Sequence, residues 1–197
     1  LRYVRLDGET RGYIGLANEI IQLSALANDV PGDENNLTYD WDLNNDGIFE
    51  IRNAQTTQFS QSNTGVYNIR VRVSDGDDEA TRSTQVYVIQ SADATNHPAT
   101  SLENTPITFN AGNSGNPGQD LLTYIWNFGD GSPTKTGRTV TYSYADNRSD
   151  SYLVKLCLFL ASQATKTCNS DDDNSLSSNT SPITITNANP QATITGP

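Results

Sequence analysis

The residues with the clearest chemistry lie in one acidic stretch in the first half of the chain. Oxygen-bearing side chains alternate there with other residues and lead into a glycine: Asp42, Asn44, Asp46 and Gly47. A hard cation such as Ca²⁺ takes ligands of this type, and a glycine permits the sharp turn that gathers them around the ion. The Ile48 carbonyl and the Glu50 carboxylate follow directly and could complete the set. The stretch therefore predicts a calcium site.

The same stretch also has a purely structural interpretation. It resembles the start of an EF-hand loop, but its twelfth place is Asn53 instead of a bidentate Glu, and no flanking helices are expected. Asp and Asn are also favoured in solvated hairpin turns, because their side chains bond to the backbone. Both interpretations remain open at the level of sequence.

The two cysteines, Cys157 and Cys168, are predicted to form a disulfide. If Ser162 and Gln163 form a two-residue turn, the cysteines face each other across a hairpin, where a bridge can form. Cys157 shares a strand face with Lys155, so we expect the pair to point outward. A bridge would imply an oxidising compartment, whereas the alternative, two buried free thiols, is typical of the cytosol.

Other chemistry-bearing residues have weaker patterns. The run Asp171-Asp172-Asp173 is either a further cation site or a hydrated loop. Five aromatic residues could line a sugar- or peptide-binding face, although aromatic residues also pack between strands: Tyr3, Tyr13, Phe49, Phe59 and Tyr87. The single histidine, His97, precedes Pro98, and no nucleophile elbow or His/Cys metal cluster accompanies it. The sequence predicts that the chain is not an enzyme.

A repeat organises the elements that must hold these residues. Trp41 and Trp126 are 85 positions apart, and so are Tyr67 and Tyr152, each of which opens a later apolar strand. The alternation of residue types places Tyr39, Trp41 and Leu43 on one strand face and Asp40, Asp42 and Asn44 on the other. The most regular strand has its apolar side facing the core: Tyr67, Ile69, Val71 and Val73.

The repeat predicts two domains and the start of a third unit. We expect domains over residues 1–90 and 91–187, with residues 188–197 as a linker or the start of a further repeat. Matching Val86 with Ile183 leaves twelve extra residues in the second copy, an acidic insert at 169–180 that is expected to interrupt the last strand. The chain is then expected to be an excerpt from a longer array.

The composition limits the classes of partner and the fold that we expect for the chain. The 197 residues carry a formal net charge of −11, which would repel nucleic acid and anionic membrane surfaces. The longest apolar run, Tyr152 to Ala161, contains Lys155 and is too short to insert into a membrane. Apolar residues make up 35% of the chain, but tyrosine and β-branched residues are plentiful. This composition favours an all-β fold.

The doubled tryptophan stretch resembles the PKD (polycystic kidney disease) domain. Members typically carry Trp-Asp-Phe-Gly-Asp-Gly, then Gly-x-Tyr and a Val-rich strand. The second copy, Trp126-Asn127-Phe128-Gly129-Asp130-Gly131, has Asn for the first Asp, and the first copy, Trp41 to Gly47, is longer by two residues. The first copy continues with Gly65-Val66-Tyr67, whereas the second has Asp150-Ser151-Tyr152 and lacks the glycine.

The resemblance implies two tandem immunoglobulin-like β-sandwiches of about seven strands each, in an extracellular setting. Because some PKD domains bind calcium near this motif, it also implies a second, weaker cation candidate at Asn127 and Asp130. The function expected from it is a non-catalytic spacer, stalk or adhesion segment of a larger secreted or cell-surface protein. Its expected partners are neighbouring domains and extracellular protein or polysaccharide. The alternative is an accessory module that docks a secreted hydrolase on polysaccharide or protein.

Overall fold

The computed structural model describes residues 3–6, 10–27, 37–148, 150–169 and 173–188. Regular structure in these ranges is β-strand, apart from one 3-10 turn at Gln119–Leu121. No helix in these ranges is long and apolar enough to cross a membrane. The chain divides into two compact units at Ser91 and Ala92, and Ser114–Leu122 and Leu160–Ser162 cluster with the first unit.

The first unit is a sandwich of one large and one small sheet. Its strands are β1 (Tyr3–Leu6), β2 (Thr10–Leu16), β3 (Ile21–Ser24), β4 (Thr38–Asp42), β5 (Thr56–Phe59), β6 (Gly65–Ser74) and β7 (Glu79–Ile89). The large sheet has the order β1-β2-β7-β6-β4, and β3 pairs with β5 in the small sheet. All pairs are antiparallel except β2 with β7.

The core of the first unit lies between these two sheets. Leu23 from the small sheet meets Trp41, Ile69 and Val86 from the large one, and all four are almost completely buried. The Trp41 indole N–H donates to the Ala54 carbonyl at 2.7 Å. This bond satisfies the polar edge of the ring, so the tryptophan can act as a core residue without leaving a buried donor unpaired.

The second unit repeats the plan. Its strands are β8 (Thr100–Leu102), β9 (Ile107–Asn110), β10 (Leu122–Asn127), β11 (Lys135–Thr136), β12 (Thr139–Tyr142), β13 (Tyr152–Leu160) and β14 (Ser177–Thr186). The large sheet has the order β11-β10-β13-β14-β8, and β9 pairs with β12. Trp126 is again fully buried, and its indole N–H donates to the Gly137 carbonyl at 3.0 Å.

The regular apolar alternation of β6 is only partly in the core. Ile69 is fully buried, whereas Tyr67, Val71 and Val73 are half-buried. The strand has 10 residues, but β3 and β5, which cover it, have 4 each. At the usual rise these lengths are about 33 Å and about 13 Å, so the large sheet projects past the small one. Tyr67 and Val71 nevertheless pack against the same core cluster as Ile69, as expected.

Two expectations about the second unit's last hairpin are wrong. β13 pairs with β14 through Leu158 and Ser177, so the turn predicted at Ser162 and Gln163 does not join two paired strands. β14 runs unbroken, because the extra residues lie mostly before it, in the 161–176 connection, and 177–180 belong to the strand. Asp171 and Asp172 lie outside the described residues, and so does the predicted linker or further repeat at residues 188–197, apart from Ala188.

Candidate cation site

The predicted calcium ligands lie in the turn that follows β4. Trp41 and Ile51 exchange two backbone hydrogen bonds, of 2.7 and 3.2 Å, and thereby close the segment between them into a loop. Closing the loop brings its two ends together, so that one carboxylate oxygen from each of Asp42, Asp46 and Glu50 lies within 4.8 Å of the others. The structure thus gathers the three acidic residues that the sequence singled out.

Side chains of the loop also bond to its own backbone. The Asn44 Oδ1 accepts from the Asp46 N–H at 2.9 Å, and the Asp46 Oδ1 accepts from the Ile48 N–H at 2.7 Å. One Glu50 carboxylate oxygen accepts from the Leu43 N–H at 3.0 Å. These contacts are the ones expected of a solvated Asp/Asn turn. The loop therefore holds its shape with the oxygens already turned toward its backbone.

Asp42 differs from the other carboxylates because it is fully buried. Its Oδ2 accepts from the Gly47 N–H at 2.9 Å and from the Arg70 Nε at 3.0 Å, and the Arg70 Nη2 forms an ion pair with the same oxygen. Burial raises the pKa of Asp42, but the Arg70 guanidinium and the loop N–H groups outweigh it and hold that pKa below its usual value. Asp42 is ionised and already neutralised by an arginine.

A second ion pair stands beside the first. Arg72 donates to the Asp40 carboxylate at 2.8 Å, and its guanidinium lies 4.4 Å from the centre of the Phe49 ring. The Asn53 N–H donates to the other Asp40 oxygen at 3.0 Å. The bond to Arg72 is the main reason that the pKa of Asp40 lies below its usual value. Asn53, the residue that departs from the EF-hand pattern, thus supports the turn through its backbone.

Sequence reasoning missed both arginines. β4 and β6 pair with Asp40 opposite Arg72 and Asp42 opposite Arg70. The alternation of β6 places both arginines on the face opposite Ile69, and both aspartates lie on the face of β4 opposite Trp41. The sequence alternation of β4 and of β6 already placed the aspartates and the arginines on outer strand faces. The register between the two strands was still needed to show which aspartate lies opposite which arginine.

At the weaker candidate cation site, Asn127 and Asp130 form hydrogen bonds within the second unit. The Asn127 amide donates to the Cys168 carbonyl at 2.9 Å and accepts from the Gly129 N–H at 2.9 Å. Asp130 accepts from the Ser132 N–H at 3.0 Å and from the Tyr142 hydroxyl. Burial raises the pKa of Asp130, and the bonds to Ser132 and Tyr142 outweigh it, so that this pKa lies below its usual value. Each side chain already has partners from its own unit.

The cysteines form the predicted disulfide, with an S–S distance of 2.01 Å. Cys157 does lie on the strand face opposite Leu156 and Leu158, but it is not exposed. Cys157 and Cys168 pack with Ile125 and Phe159 in a small second core, and Cys157 is fully buried. The expectation of an outward, exposed bridge is corrected, because Ile125 and Phe159 enclose the two cysteines in this small core.

The described end of the acidic run has a structural partner. Asp173 accepts from the Lys155 ammonium at 2.8 Å, and the same ammonium donates to the Asn169 carbonyl at 2.7 Å. Burial raises the pKa of Asp173, but the bonds to Lys155 and neighbouring serines outweigh it and lower this pKa strongly. Asp173 therefore anchors the connection to β13.

The fold and the paired turns together define a class of protein. Two sandwiches in sequence, each with a buried tryptophan followed by an Asp/Asn-rich turn, are of the immunoglobulin-like type. Models of the PKD domain family match residues 11–88 and residues 91–176. The chain belongs to the PKD domain family, and the expected fold of two tandem PKD sandwiches is confirmed.

Solved structures with a similar fold are distant in sequence. They include three N-terminal domains of Hoc, the highly immunogenic outer capsid protein of bacteriophage RB49, at 18% identity and a TM-score of 0.34, over 87% of this chain and 56% of that one. The fibronectin(III)-like modules of Clostridium thermocellum CbhA match at 15% identity and a TM-score of 0.41, over 98% of this chain and 99% of theirs.

The four N-terminal Ig domains of Dscam1 isoform 4.44 match at 12% identity and a TM-score of 0.43. That match covers 95% of this chain and 46% of the other, so the chain spans about half the length of the Hoc and Dscam1 structures. No curated protein matches the sequence. Similarity at this level says nothing about function.

Proposed function

We propose that the chain is a non-catalytic extracellular segment that acts as a spacer, stalk or adhesion module of a larger secreted or cell-surface protein. The observation that carries the proposal is the pair of tandem PKD sandwiches, the second closed by a disulfide. PKD domains are typically extracellular, structural or adhesive modules. A disulfide in a small domain also fits an oxidising compartment.

The placement of the reactive side chains supports a non-catalytic role. The only histidine of the chain, His97, has its Nδ1 2.8 Å from the Pro98 carbonyl oxygen, and its ring lies 5.1 Å from that of Phe109. The buried or paired aspartates of both units bond to arginine, lysine, tyrosine or backbone groups of their own unit. These groups hold turns in place instead of flanking a cleft as an acid and base would.

Two of the five residues in the aromatic face of the docking alternative are inaccessible to a ligand. Tyr13 and Phe59 are core residues of the first unit, whereas Phe49 and Tyr87 are half-buried. Polysaccharide-binding modules need exposed aromatic faces to stack on sugars. We therefore expect no depletion of the protein from solution by insoluble cellulose or chitin, and saturable depletion would favour the docking module over the spacer.

Calcium is the second part of the proposal. A Ca²⁺ ion would be bound in the first turn by the carboxylates of Asp46 and Glu50 and by the Ile48 carbonyl, with Asn44 and Asp42 as further oxygen ligands. The ion would stiffen the turn, because its bonds to these oxygens would replace the hydrogen bonds that they now accept from the loop backbone. Arg70 opposes the ion at Asp42, because the guanidinium already neutralises that carboxylate. Asp46 and Glu50, which are exposed, are thus the decisive ligands.

Thermal unfolding in excess Ca²⁺ and in chelator tests the calcium proposal. Binding to the native state alone raises its stability, by about 2.7 kcal/mol when free Ca²⁺ is a hundredfold above its Kd. Glu50→Gln should abolish the rise, and Asp77→Asn, an exposed carboxylate in the β6–β7 turn, should keep it. An unchanged midpoint in the natural sequence would refute the calcium site and leave the spacer role standing.

A further inference from the structure

The outer edge of β5 has no partner strand among the residues that the structure describes. β5 pairs only with β3, and the Gln55 and Gln61 carbonyls on either side of it accept hydrogen bonds from residues next to β3. Backbone groups of successive residues in an antiparallel strand point to alternate sides. The N–H and C=O groups of Thr56, Gln58 and Ser60 therefore point to the outer edge, and all three residues are exposed.

The second unit closes the equivalent edge with a lysine. Gln22 pairs with Gln58 in the first unit, and Thr108, 86 positions after Gln22, pairs with Thr141 in the second. Thr141 of β12 is thus the counterpart of Gln58. Its carbonyl accepts from the Lys135 ammonium at 2.6 Å. Lysine side chains at a sheet edge are a common means of preventing another strand from pairing there.

The first unit lacks this lysine. Trp126 pairs with Lys135 in the second unit, and Trp41 pairs with Ile51 in the first, so Ile51 takes the position of the lysine. Ile51 packs against the core and has no group to donate to a carbonyl. The stretch 53–69 also contains no charged residue and no proline, although the chain as a whole has a net charge of −11. β5 therefore lacks the features that usually protect an edge strand.

We propose that β5 pairs antiparallel with β5 of a second copy of the chain, so that two small sheets join into one sheet of four strands. A two-fold axis through this pairing places Gln58 opposite its own counterpart and Thr56 opposite Ser60. The outward backbone groups then bond across the axis, and the facing side chains are uncharged hydrogen-bonding groups. The same axis brings together the one long uncharged stretch of an acidic chain, which favours a second copy as the partner. The inference goes beyond the proposed function, which assigns the chain no binding surface.

Disulfide trapping on the full chain tests the pairing. Directly opposed residues that exchange backbone hydrogen bonds have Cα atoms about 5.5 Å apart, which is within the range of a disulfide. The natural cysteines are bonded to each other, so Gln58→Cys introduces a single free thiol. We expect Gln58→Cys to form a covalent dimer under mild oxidation, seen on a non-reducing gel. Thr141→Cys, equally exposed but on the closed edge, should form at least about fivefold less. Equal yields would overturn the proposal.

Sedimentation equilibrium measures the association without a cross-link. Gln58→Lys places two ammonium groups opposite each other at the axis and should weaken self-association at least about threefold, although it lowers the net negative charge of each copy. Thr141→Lys makes the same change of charge on the second unit and should leave the association unchanged. Equal weakening by both variants would contradict the assignment to β5. A natural sequence that stays monomeric up to about 1 mM would refute it. Circular dichroism confirms that each variant is folded.

Two further outcomes would overturn the second copy as the partner. One is a labelled peptide with the sequence of residues 55–61 that binds a chain which does not associate with itself, since the edge would then accept an extended segment of another protein. The other is self-association that survives Gln58→Lys but is lost in chelator, because the contact would then lie at the turn after β4.

Discussion

Among individual residues, Asp42 is the one on which the first turn depends most. Its carboxylate receives the Arg70 guanidinium and the Gly47 N–H, and it is shielded from water. A buried charge is tolerated only when it is paired and hydrogen-bonded. The arginine thus performs from within the chain the neutralisation that a bound cation would supply from outside.

Asp42→Asn should destabilise the first unit more than Asp46→Asn in calcium-free buffer. The first change leaves Arg70 beside a neutral amide and should cost about 2 kcal/mol, discounted because the arginine side chain is 29% exposed. The second removes an exposed carboxylate whose main partners are turn groups, and should cost less than about 1 kcal/mol. Urea unfolding measures both. Equal losses in the free energy of unfolding would show that the buried ion pair does not stabilise the first unit more than the exposed carboxylate does.

At the level of turns, the two units differ in the turn that follows the tryptophan strand. The first uses the longer loop with Asn45 and Gly47 at positive φ, and the second the shorter one with Gly129 and Gly131 at φ 74° and 82°. A Cβ on Gly129 would lie 2.5 Å from the Leu153 carbonyl oxygen, whereas one on Gly131 meets nothing within 4 Å. The first glycine of the motif is required by close packing on β13, and the second only by its backbone conformation.

This difference gives a matched pair of variants in one turn. Gly131→Ala should cost about 1 kcal/mol, the usual cost of placing an L-residue at positive φ. Gly129→Ala has that cost and adds a clash with the β13 backbone, so the total loss of stability should exceed about 3 kcal/mol. Urea unfolding of the second unit, followed by tryptophan fluorescence, measures both. A loss in Gly131→Ala as large as that in Gly129→Ala would contradict the packing explanation.

The 161–176 connection is the second unit's main departure from the repeat. Its Cys168 is bonded to Cys157 of β13, and the Lys155 ammonium contacts the Asp173 carboxylate and the Asn169 carbonyl. A closed loop of this length restricts the unfolded chain by about 3 kcal/mol in the entropic account. An otherwise polar, loop-like segment is thus held against the sheet by one covalent and one ionic contact.

For the chain as a whole, the shifted carboxyl pKa values of both units all change in the same direction. The pKa values of Asp40, Asp42, Asp93, Asp130 and Asp173 all lie below the usual value. The folded state therefore holds these protons less tightly than the unfolded state does. Their contribution to stability is present above the unfolded pKa, near 3.9, and is lost as the pH falls through the lower folded values.

The melting temperature should consequently fall as the pH is lowered from about 5 to about 2. Thermal unfolding monitored by circular dichroism over this range measures it. Asp42→Asn should make the fall shallower, because it removes one of the responsible carboxyls, and Lys155→Gln should do the same by removing the partner of Asp173. A melting temperature that stays constant or rises on acidification would contradict the account.

The repeat, the strand alternation and the tryptophan motif were enough to predict the sandwich class. The disulfide was also predicted correctly, but from a hairpin turn at Ser162 and Gln163 that the structure does not have. The spacing of residues in the first turn also predicted that the carboxylates of Asp42, Asp46 and Glu50 would lie close together, because they are separated by few residues. The insert could not be placed, because twelve extra residues can be aligned at several points of a strand pair and only the pairing of Leu158 with Ser177 settles the register.

What remained hidden depends on contacts between residues far apart in the chain. Residue types and their period specified which faces are apolar, where turns begin, and that two similar units follow each other. They did not specify that Arg70 would neutralise Asp42 or that Cys157 would be buried on an outer face. Each of these depends on strand register or on contacts between distant segments, and both exist only once separate segments of the chain have packed together.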